Sequence, residues 1–430
     1  MSFPKHNPVK APWQSIIYAL AVWGFLFVMH RGHLLWQQGQ CLFLDTDSFF
    51  LQTVCNLGGI GRYLGILLTQ FFFWPLLGSG IVALLLALSL WALQRYCRIY
   101  ALPFFVHPLM FVVPTLALAA MCCSDAFRID LVVSVFVASM GLLPTFRKLS
   151  QRLVWSLLLA ALLAAAFAWE TAVLVFALLT LSLFKSGMKA PAWLNWGLTL
   201  VFGAGSIAAI FFIMGDLQRD RDCLYILSAR NRDWNYLINA SVEPSRDRTM
   251  TMCACVNLAL ANIHRQGEEH SLLASQAFVN PEFGKACLLP PEGYENNIVA
   301  CEVCFNIGAV SEARRYAFEA MTSLTEDALA PFWLTRLAEC ALIDGKMELA
   351  RKYLTILSHN FIYRYSALKL LEMSDEDVDG HFLYGRLRDW RLKENVPLQG
   401  SSAEYLFMSM YIANPDNVIA QDYLRACSQL

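Results

Sequence analysis

The sequence predicts an all-α protein: a polytopic bundle of transmembrane helices, about seven spans, followed by an α-solenoid of helical repeats. Three observations carry that prediction. Of 430 residues, 57% are hydrophobic and only 16% are charged, with a mean hydropathy of +0.45. Soluble chains carry about 25% charged residues. Long apolar windows fill the first half of the chain and stop at Met214, after which the sequence turns polar and repeats itself at a spacing of 37 residues.

Charge divides at the same place. Residues 1–214 hold 12 Lys/Arg and 5 Asp/Glu, a net of +7, whereas residues 215–430 hold 21 and 29, a net of −8. We therefore read 1–214 as a transmembrane helical domain and 215–430 as a helical repeat domain. No basic stripe with interleaved aromatics is present, so no nucleic-acid partner is expected. The first half is expected to have the lipid bilayer as its partner.

A span needs roughly 20 apolar residues to cross about 30 Å of hydrocarbon. Windows at 13–30, 78–94, 103–122, 127–145, 153–168, 171–184 and 194–214 qualify. The fifth and sixth are short, joined by Trp169-Glu170, and read as two spans or as one broken hairpin. Residues 63–77 form a further apolar segment, read as a helix lying in the interface or re-entering ahead of the second span. With the N-terminus in the cytoplasm, Lys5, Lys10, Arg95, Arg98, Arg147, Lys148, Arg152, Lys185 and Lys189 fall inside, and Arg31, Arg62 and Arg128 outside. Nine against three is the bias expected of cytoplasmic loops. Seven spans then place 215–430 in a periplasm, and the expected location is a bacterial inner membrane; one span miscounted would move that half to the cytoplasm. The first window has basic residues before it and no small-residue cleavage site after it, so it reads as a retained signal anchor.

The polar half repeats. "VACEVCFNIGAVSEARRYAFEAM" (299–321) aligns without gaps to "RLAECALIDGKMELARKYLTILS" (336–358), matching Gly308 to Gly345, Ala313 to Ala350 and Tyr316 to Tyr353. A helix, a glycine turn and then x-A-R-x-Y is how tetratricopeptide (TPR) repeats read, at a period of about 34 residues. The additional residues fit the connection "LTEDALAP". Weaker copies lie at 223–240, turning at Arg232-Asp233-Trp234, at 256–275, turning at Gly267, and at 404–427 around Pro415. Such pairs bury their apolar faces by stacking, which leaves a concave surface suited to a protein partner.

Taken together, "LFLDTDSFF" (42–50), "GGIGRYLGILLTQFFFWPLLG" (58–78), "AVSEARRYAFEAM" (309–321) and "GKMELARKYLTIL" (345–357) resemble an uncharacterised, domain-of-unknown-function family of bacterial polytopic inner-membrane proteins. The resemblance covers most of the chain. It implies an inner-membrane protein with a TPR-like tail, and it brings no activity and no catalytic residues. In layout alone, the order of span, acidic external loop, apolar segment and span is also similar to C-type (GT-C) glycosyltransferases. Those enzymes use sugars carried on polyprenyl lipids, which implies Asp45 or Asp47 as the acidic residue. No second acidic motif accompanies it in a later external loop.

Asp45-Thr46-Asp47 has two readings from its own residues. Carboxylates there can act as acid or base on a lipid-linked donor, or bind a divalent cation through hard oxygens. Against this, Asp suits the N-terminus of a helix starting at Ser48-Phe49. Gly58, Gly59 and Gly61 are not a phosphate loop, because no Gly-Lys-Ser/Thr follows; they permit a turn. Arg128, Asp130 and Glu170 stand at the membrane edge, where ionisable groups cost less than in mid-span and serve as anchors or as functional groups. His33 and His107 look isolated. Cys301-x-x-Cys304 lacks the second pair a zinc site needs, and both cysteines align with the packing alanines Ala338 and Ala341. No metal or cofactor is assigned. The leading expectation is a scaffold whose solenoid binds a protein partner in a cell-envelope complex. The alternative is a GT-C-like transferase of polyprenyl-linked sugar using Asp45 and Asp47.

Overall fold

A computed structural model describes residues 13–103, 105–123, 128–146, 148–183, 191–240, 248–263, 273, 279–280, 285–286, 288–289, 294–323, 330–392 and 403–428. Lys5, Lys10, Arg147, Lys185, Lys189, Gly267 and most of the 324–331 connection lie outside the described residues. The described chain is helical apart from β1 (Val279–Asn280) and β2 (Lys285–Ala286), a short antiparallel pair. It divides into two compact units, one of Met1–Gln38 with Asp45–Leu217 and one of Gly39–Leu44 with Gln218–Leu430.

The first unit contains α1 (Trp13–Met29), α2 (Arg31–Gln40), α3 (Asp47–Val54), α4 (Gly59–Thr69), a 3₁₀ turn (Gln70–Phe73), α5 (Pro75–Ile99), α6 (Val106–Leu109), α7 (Val112–Cys123), α8 (Ile129–Gly141), α9 (Leu149–Ala166), α10 (Trp169–Leu183) and α11 (Ala192–Ile213). Each of the seven apolar windows contains helix among its described residues. Four stretches are long and apolar enough to cross a membrane: Pro75–Ile99, Val106–Cys123, Leu149–Ala166 and Trp196–Ile213. The pair α1 and α2, bent by 78°, makes a fifth if counted as one. At about 1.5 Å per residue, the 13 residues of α8 fall short of a 30 Å core. Length and composition therefore support four to five spans.

Contacts between helix ends set the directions. Gln94 Nε2 donates to Gln14 Oε1 at 2.9 Å, and Trp23 Nε1 to the Leu76 carbonyl at 3.3 Å, so α5 runs antiparallel to α1. Phe25 meets Phe211 edge-on at 5.7 Å, so α11 runs parallel to α1. Trp155 Nε1 donates to the Gly141 carbonyl at 2.8 Å, joining the start of α9 to the end of α8. Phe25, Leu86, Leu90, Leu118, Val132 and Leu163 fill the core. Leu20, Leu84, Leu158, Leu200 and Phe212 face outward, an apolar exterior compatible with contact to a bilayer.

Two local expectations are corrected. The segment 63–77 is not one interfacial helix. Pro75 has no N–H and a fixed φ, so it opens α5 at its first turn; Trp74 before it is extended, as a residue preceding proline prefers. The loop after span 1 begins as helix α2, followed by a non-helical stretch from Cys41 to Asp45.

The second unit contains α12 (Leu217–Asn231), α13 (Trp234–Ala240), α14 (Met250–Asn262), α15 (Tyr294–Asn306), α16 (Val310–Ser323), α17 (Pro331–Ile343), α18 (Met347–Ser358), α19 (Arg364–Leu371), α20 (Asp375–Gly380), α21 (Tyr384–Trp390), α22 (Ala403–Ala413) and α23 (Val418–Ser428). Two hairpins, α15/α16 and α17/α18, and the junction between α12 and α13 share one turn. Arg232, Gly308 and Gly345 hold φ of 59°, 87° and 73°. Their N–H groups donate to Ala229, Phe305 and Leu342, and the next residues donate to Ser228, Cys304 and Ala341. That pair of bonds is the Schellman ending, in which a left-handed residue satisfies the last carbonyls of a helix.

Small residues fill the seams between the helices. Ala313, Ala338, Ala341 and Ala350 are buried, as are Cys301, Cys304 and Cys340. Burial pushes all three thiols up, so they stay neutral and behave as small apolar groups. The cysteines among the described residues are free thiols. Two buried asparagines close the ends: Asn417 donates to the Ile307 carbonyl at 2.8 Å and accepts from Ala420 N, and Asn360 donates to the Phe43 carbonyl at 2.8 Å. The end of α2 and the non-helical residues after it, Gly39–Leu44, are held to this unit by that bond and by Phe43 against Phe361 at 6.1 Å.

The two turn glycines separate conformational strain from crowding. A Cβ at Gly345 meets nothing within 4 Å, whereas at Gly308 it would sit 2.8 Å from Trp390 Cβ. Gly345→Ala is expected to cost about 1 kcal/mol, the left-handed penalty alone. Gly308→Ala should cost clearly more, read as the drop in thermal midpoint of the full-length protein. Equal drops would mean that Trp390 does not press on the turn.

Candidate functional site

Asp45 and Asp47 sit at the start of α3, both exposed. The cap of that helix is Thr46, whose hydroxyl accepts from Phe49 N at 3.3 Å. Asp47 occupies the first turn, where its charge complements the helix dipole, and Asp45 precedes the cap. The capping role expected of aspartate thus falls to the threonine between them. Behind α3, Phe50 meets Tyr63 of α4 edge-on at 5.1 Å.

The three membrane-edge residues come together. Arg128 Nε lies 3.3 Å from Asp130 Oδ1, and Arg128 Nη2 lies 3.0 Å from Glu170 Oε1. One guanidinium thereby ties the start of α8 to the start of α10. Among the described residues, the ion pairs of Arg128 run to Asp130 and Glu170 and not to Asp45 or Asp47. Ser134 completes the joint: its hydroxyl donates to the Asp130 carbonyl at 2.6 Å and accepts from Ala168 N at 3.0 Å, at the break between α9 and α10.

The glycines of the loop explain how α4 reaches this joint. A Cβ at Gly61 would lie 3.2 Å from Phe167 Cα, and one at Gly65 would lie 3.0 Å from Asp130 N. Gly58 N donates to the Ala165 carbonyl at 2.9 Å, with φ at +73°. Positions 58, 61 and 65 form one helical face, and without side chains there the backbones of α4 and α8 approach closely. The turn-permitting role read from the sequence holds for Gly58; Gly61 and Gly65 serve contact.

Two polar groupings escaped sequence reasoning. His33 is not isolated. Its ring centroid is 4.4 Å from that of His30, and its Nε2 lies 3.0 Å from the amide of Gln37, which also donates to the Met121 carbonyl at 3.2 Å. The spacing 30, 33, 37 was a legible helical face, but the break between α1 and α2 hid it.

The larger grouping lies in the second unit. Glu302 on α15, 1% exposed, accepts from Arg336 of α17 and from Arg230 of α12, the latter at 3.3 Å. Arg336 also reaches Glu339 at 2.7 Å, and the Tyr384 hydroxyl donates to Glu339 Oε1 at 3.2 Å. Arg230 stacks over Phe332 and Arg336 over Phe305, each at 3.7 Å. Burial alone would push Arg336 down, yet Glu302 and Glu339 beside it hold its pKa above the ordinary arginine value. Burial pushes Arg230 down, helped by the charge of Arg336. A signal for this network was present in the repeat: Glu302 and Glu339 are 37 residues apart, at the same place in their helices.

Chemically, the first unit presents two exposed carboxylates and, separately, an ion-pair joint, and the second presents a buried charged network across α12, α15 and α17. Among the described residues, no three His, Cys, Asp or Glu side chains converge as metal ligands. A family model described as "Family of unknown function (DUF6057)" matches residues 5–228 and again 216–430. No match was found among curated proteins or among solved structures.

The network and the joint should respond differently to mutation. Removing one partner from a buried pair leaves an uncompensated charge and costs about 3–5 kcal/mol, so Arg336→Met is expected to lower the thermal midpoint severely. Arg128→Gln touches groups about a third exposed, and the expected loss is about 1 kcal/mol or less. Similar losses for the two variants would contradict the assigned burial.

Proposed function

We propose, for a chain that belongs to the family of unknown function DUF6057, an integral protein of a bacterial inner membrane whose TPR-like repeats bind a protein partner in a cell-envelope complex. In this reading residues 1–214 are the membrane domain, with seven spans once α8 and α10 are counted, and 215–430 are the repeat domain. The recurrence of one turn at the ends of three helices, two of which pack as hairpins with the next helix, carries the repeat reading, since stacked hairpins generate an extended binding face.

The distribution of charge in the first unit supports the orientation. Arg95, Arg98, Lys148 and Arg152 fall at the end of the bundle where Gln14, Gln94 and Trp155 meet their partners. Asp130 and Glu170 fall at the other end, near Gly58 and Ala168, with Arg128 the one described basic residue paired to them. Cytoplasmic loops carry the basic excess, so the basic end faces the cytoplasm and 215–430 the periplasm. The neutral, buried thiols suit that compartment, because the thiolate is the species that pairs.

A second reading, a transferase acting on polyprenyl-linked sugar through Asp45 and Asp47, draws on the exposure of both carboxylates at the start of α3. Replacing both with Asn separates the two. Partner capture by the full-length protein is unchanged under the scaffold reading, whereas accumulation of unused lipid-linked sugar in cells favours the transferase.

Orientation is tested by a reporter fused after Asp216. Alkaline phosphatase there is expected to be active and green fluorescent protein dark. A fluorescent fusion would put the repeats in the cytoplasm and reduce the span count by an odd number.

A further inference from the structure

The pairing of charges around Glu302 and Glu339 leaves a remainder. Four guanidiniums, those of Arg230, Arg232, Arg336 and Arg386, stand near two carboxylates, those of Glu302 and Glu339. Arg230 and Arg336 take Glu302, and Arg336 with Tyr384 takes Glu339. Arg232 donates to the neutral Oδ1 of Asn306 at 3.2 Å. Arg386 lies between the rings of Phe382 and Trp390, at 5.3 and 4.9 Å, and its buried Nε has no hydrogen-bond partner among the described residues.

Two further observations mark the same pair. Burial pushes the Arg386 pKa down. Arg232 is brought down to about 10 by burial first and then by the charges of Arg336 and Arg386, with Glu339 and Glu302 opposing. Both guanidiniums are half-buried, and among the described residues neither has an ion pair with a carboxylate. In addition, Arg232 stands at φ +59° where the matching turns of α15/α16 and α17/α18 carry glycine. An L-residue there costs about 1–2 kcal/mol, and strain of this kind is retained where a side chain has a task.

We propose that Arg232 and Arg386 form a carboxylate-binding site for an acidic segment of the protein partner, with Asn306 and the Phe382 and Trp390 rings around it. The site rests on the partner-binding reading above. Two arginines around one carboxylate is the arrangement already used at Glu302, and Arg232 and Arg386 come to one neighbourhood, Arg232 on Asn306 and Arg386 against Trp390, whose Cβ packs on Gly308 two residues further on. Phe382 is 82% exposed, and an open aromatic ring beside a guanidinium favours a peptide, with its apolar stems, over a strongly hydrated inorganic anion. Residues 215–430 carry a net charge of −8, so an acidic segment is repelled over most of this half and attracted here.

The test uses purified full-length protein in detergent and a fluorescein-labelled Glu/Leu hexapeptide, read by anisotropy, with its Glu-to-Gln counterpart as control. Free and amidated C-termini separate side-chain from terminal carboxylates. Wild type is expected to bind the Glu peptide, and Arg232→Gly and Arg386→Gln to weaken it about tenfold or more, in keeping with the loss of a charged hydrogen bond. Arg232→Gly should melt no lower than wild type, because glycine accepts the left-handed turn; binding lost in a protein of undiminished stability supports the site. Equal binding by wild type and Arg232→Gly, equal binding of the Gln peptide, or a site that takes inorganic phosphate and not the Glu peptide each overturns it. Partner capture from cells keeps the two readings apart. A partner held equally by wild type and Arg232→Gly overturns the carboxylate site and leaves partner binding standing. With no partner captured by either protein, the partner reading falls, and the peptide titration still decides the site.

Discussion

A carboxylate with almost no exposure, Glu302, accepts from guanidiniums on two other helices and so ties α12, α15 and α17 into one face. Charges this deep are stable only when each is met by its opposite, which constrains every helix that contributes to the network. The aromatic partners follow from the same need. Phe305 and Phe332 lie flat beneath Arg336 and Arg230, giving the guanidiniums a second favourable surface where water has been excluded. Tyr384 and Asn306 then complete the polar contacts.

The hairpin turn works alongside that network. A left-handed residue at each turn fixes how a second helix leaves the first, and the alanines and cysteines of the seams let the pair close. Where the turn residue is glycine the geometry comes without penalty, and at Gly308 the missing side chain also admits Trp390. Arg232 accepts the strained conformation and places a guanidinium beside the network instead.

In the first unit the governing economy is different: backbones approach where side chains are absent, and polar groups gather at the ends. Gly61 and Gly65 seat α4 on the start of α8 and the α9/α10 break, and Ser134 satisfies the amide that the break exposes. Arg128 holds two carboxylates at that end. The apolar mid-sections stay free of charge, which is compatible with a bilayer around them.

The sequence by itself determined the helical class, the apolar windows, the change of character near residue 214, and the repeat with its turn at 232, 308 and 345. These are matters of local composition and spacing, and hydrophobic period and turn chemistry are written along the chain. It also singled out Arg128, Asp130 and Glu170, though not that they meet, since 42 residues separate the arginine from the glutamate. Only the tertiary structure decided that Thr46 caps α3, that α4 ends before Pro75, that His33 has neighbours, and that Arg230, Glu302, Arg336 and Glu339 share one buried network. The last depends on residues from distant segments arriving at one point, whereas the Thr46 cap and the His33–Gln37 contact span three and four residues and follow from where the local helices begin. Charge pairing across helices has no period in the sequence, because its partners are chosen by packing and by the cost of leaving a buried charge unmet.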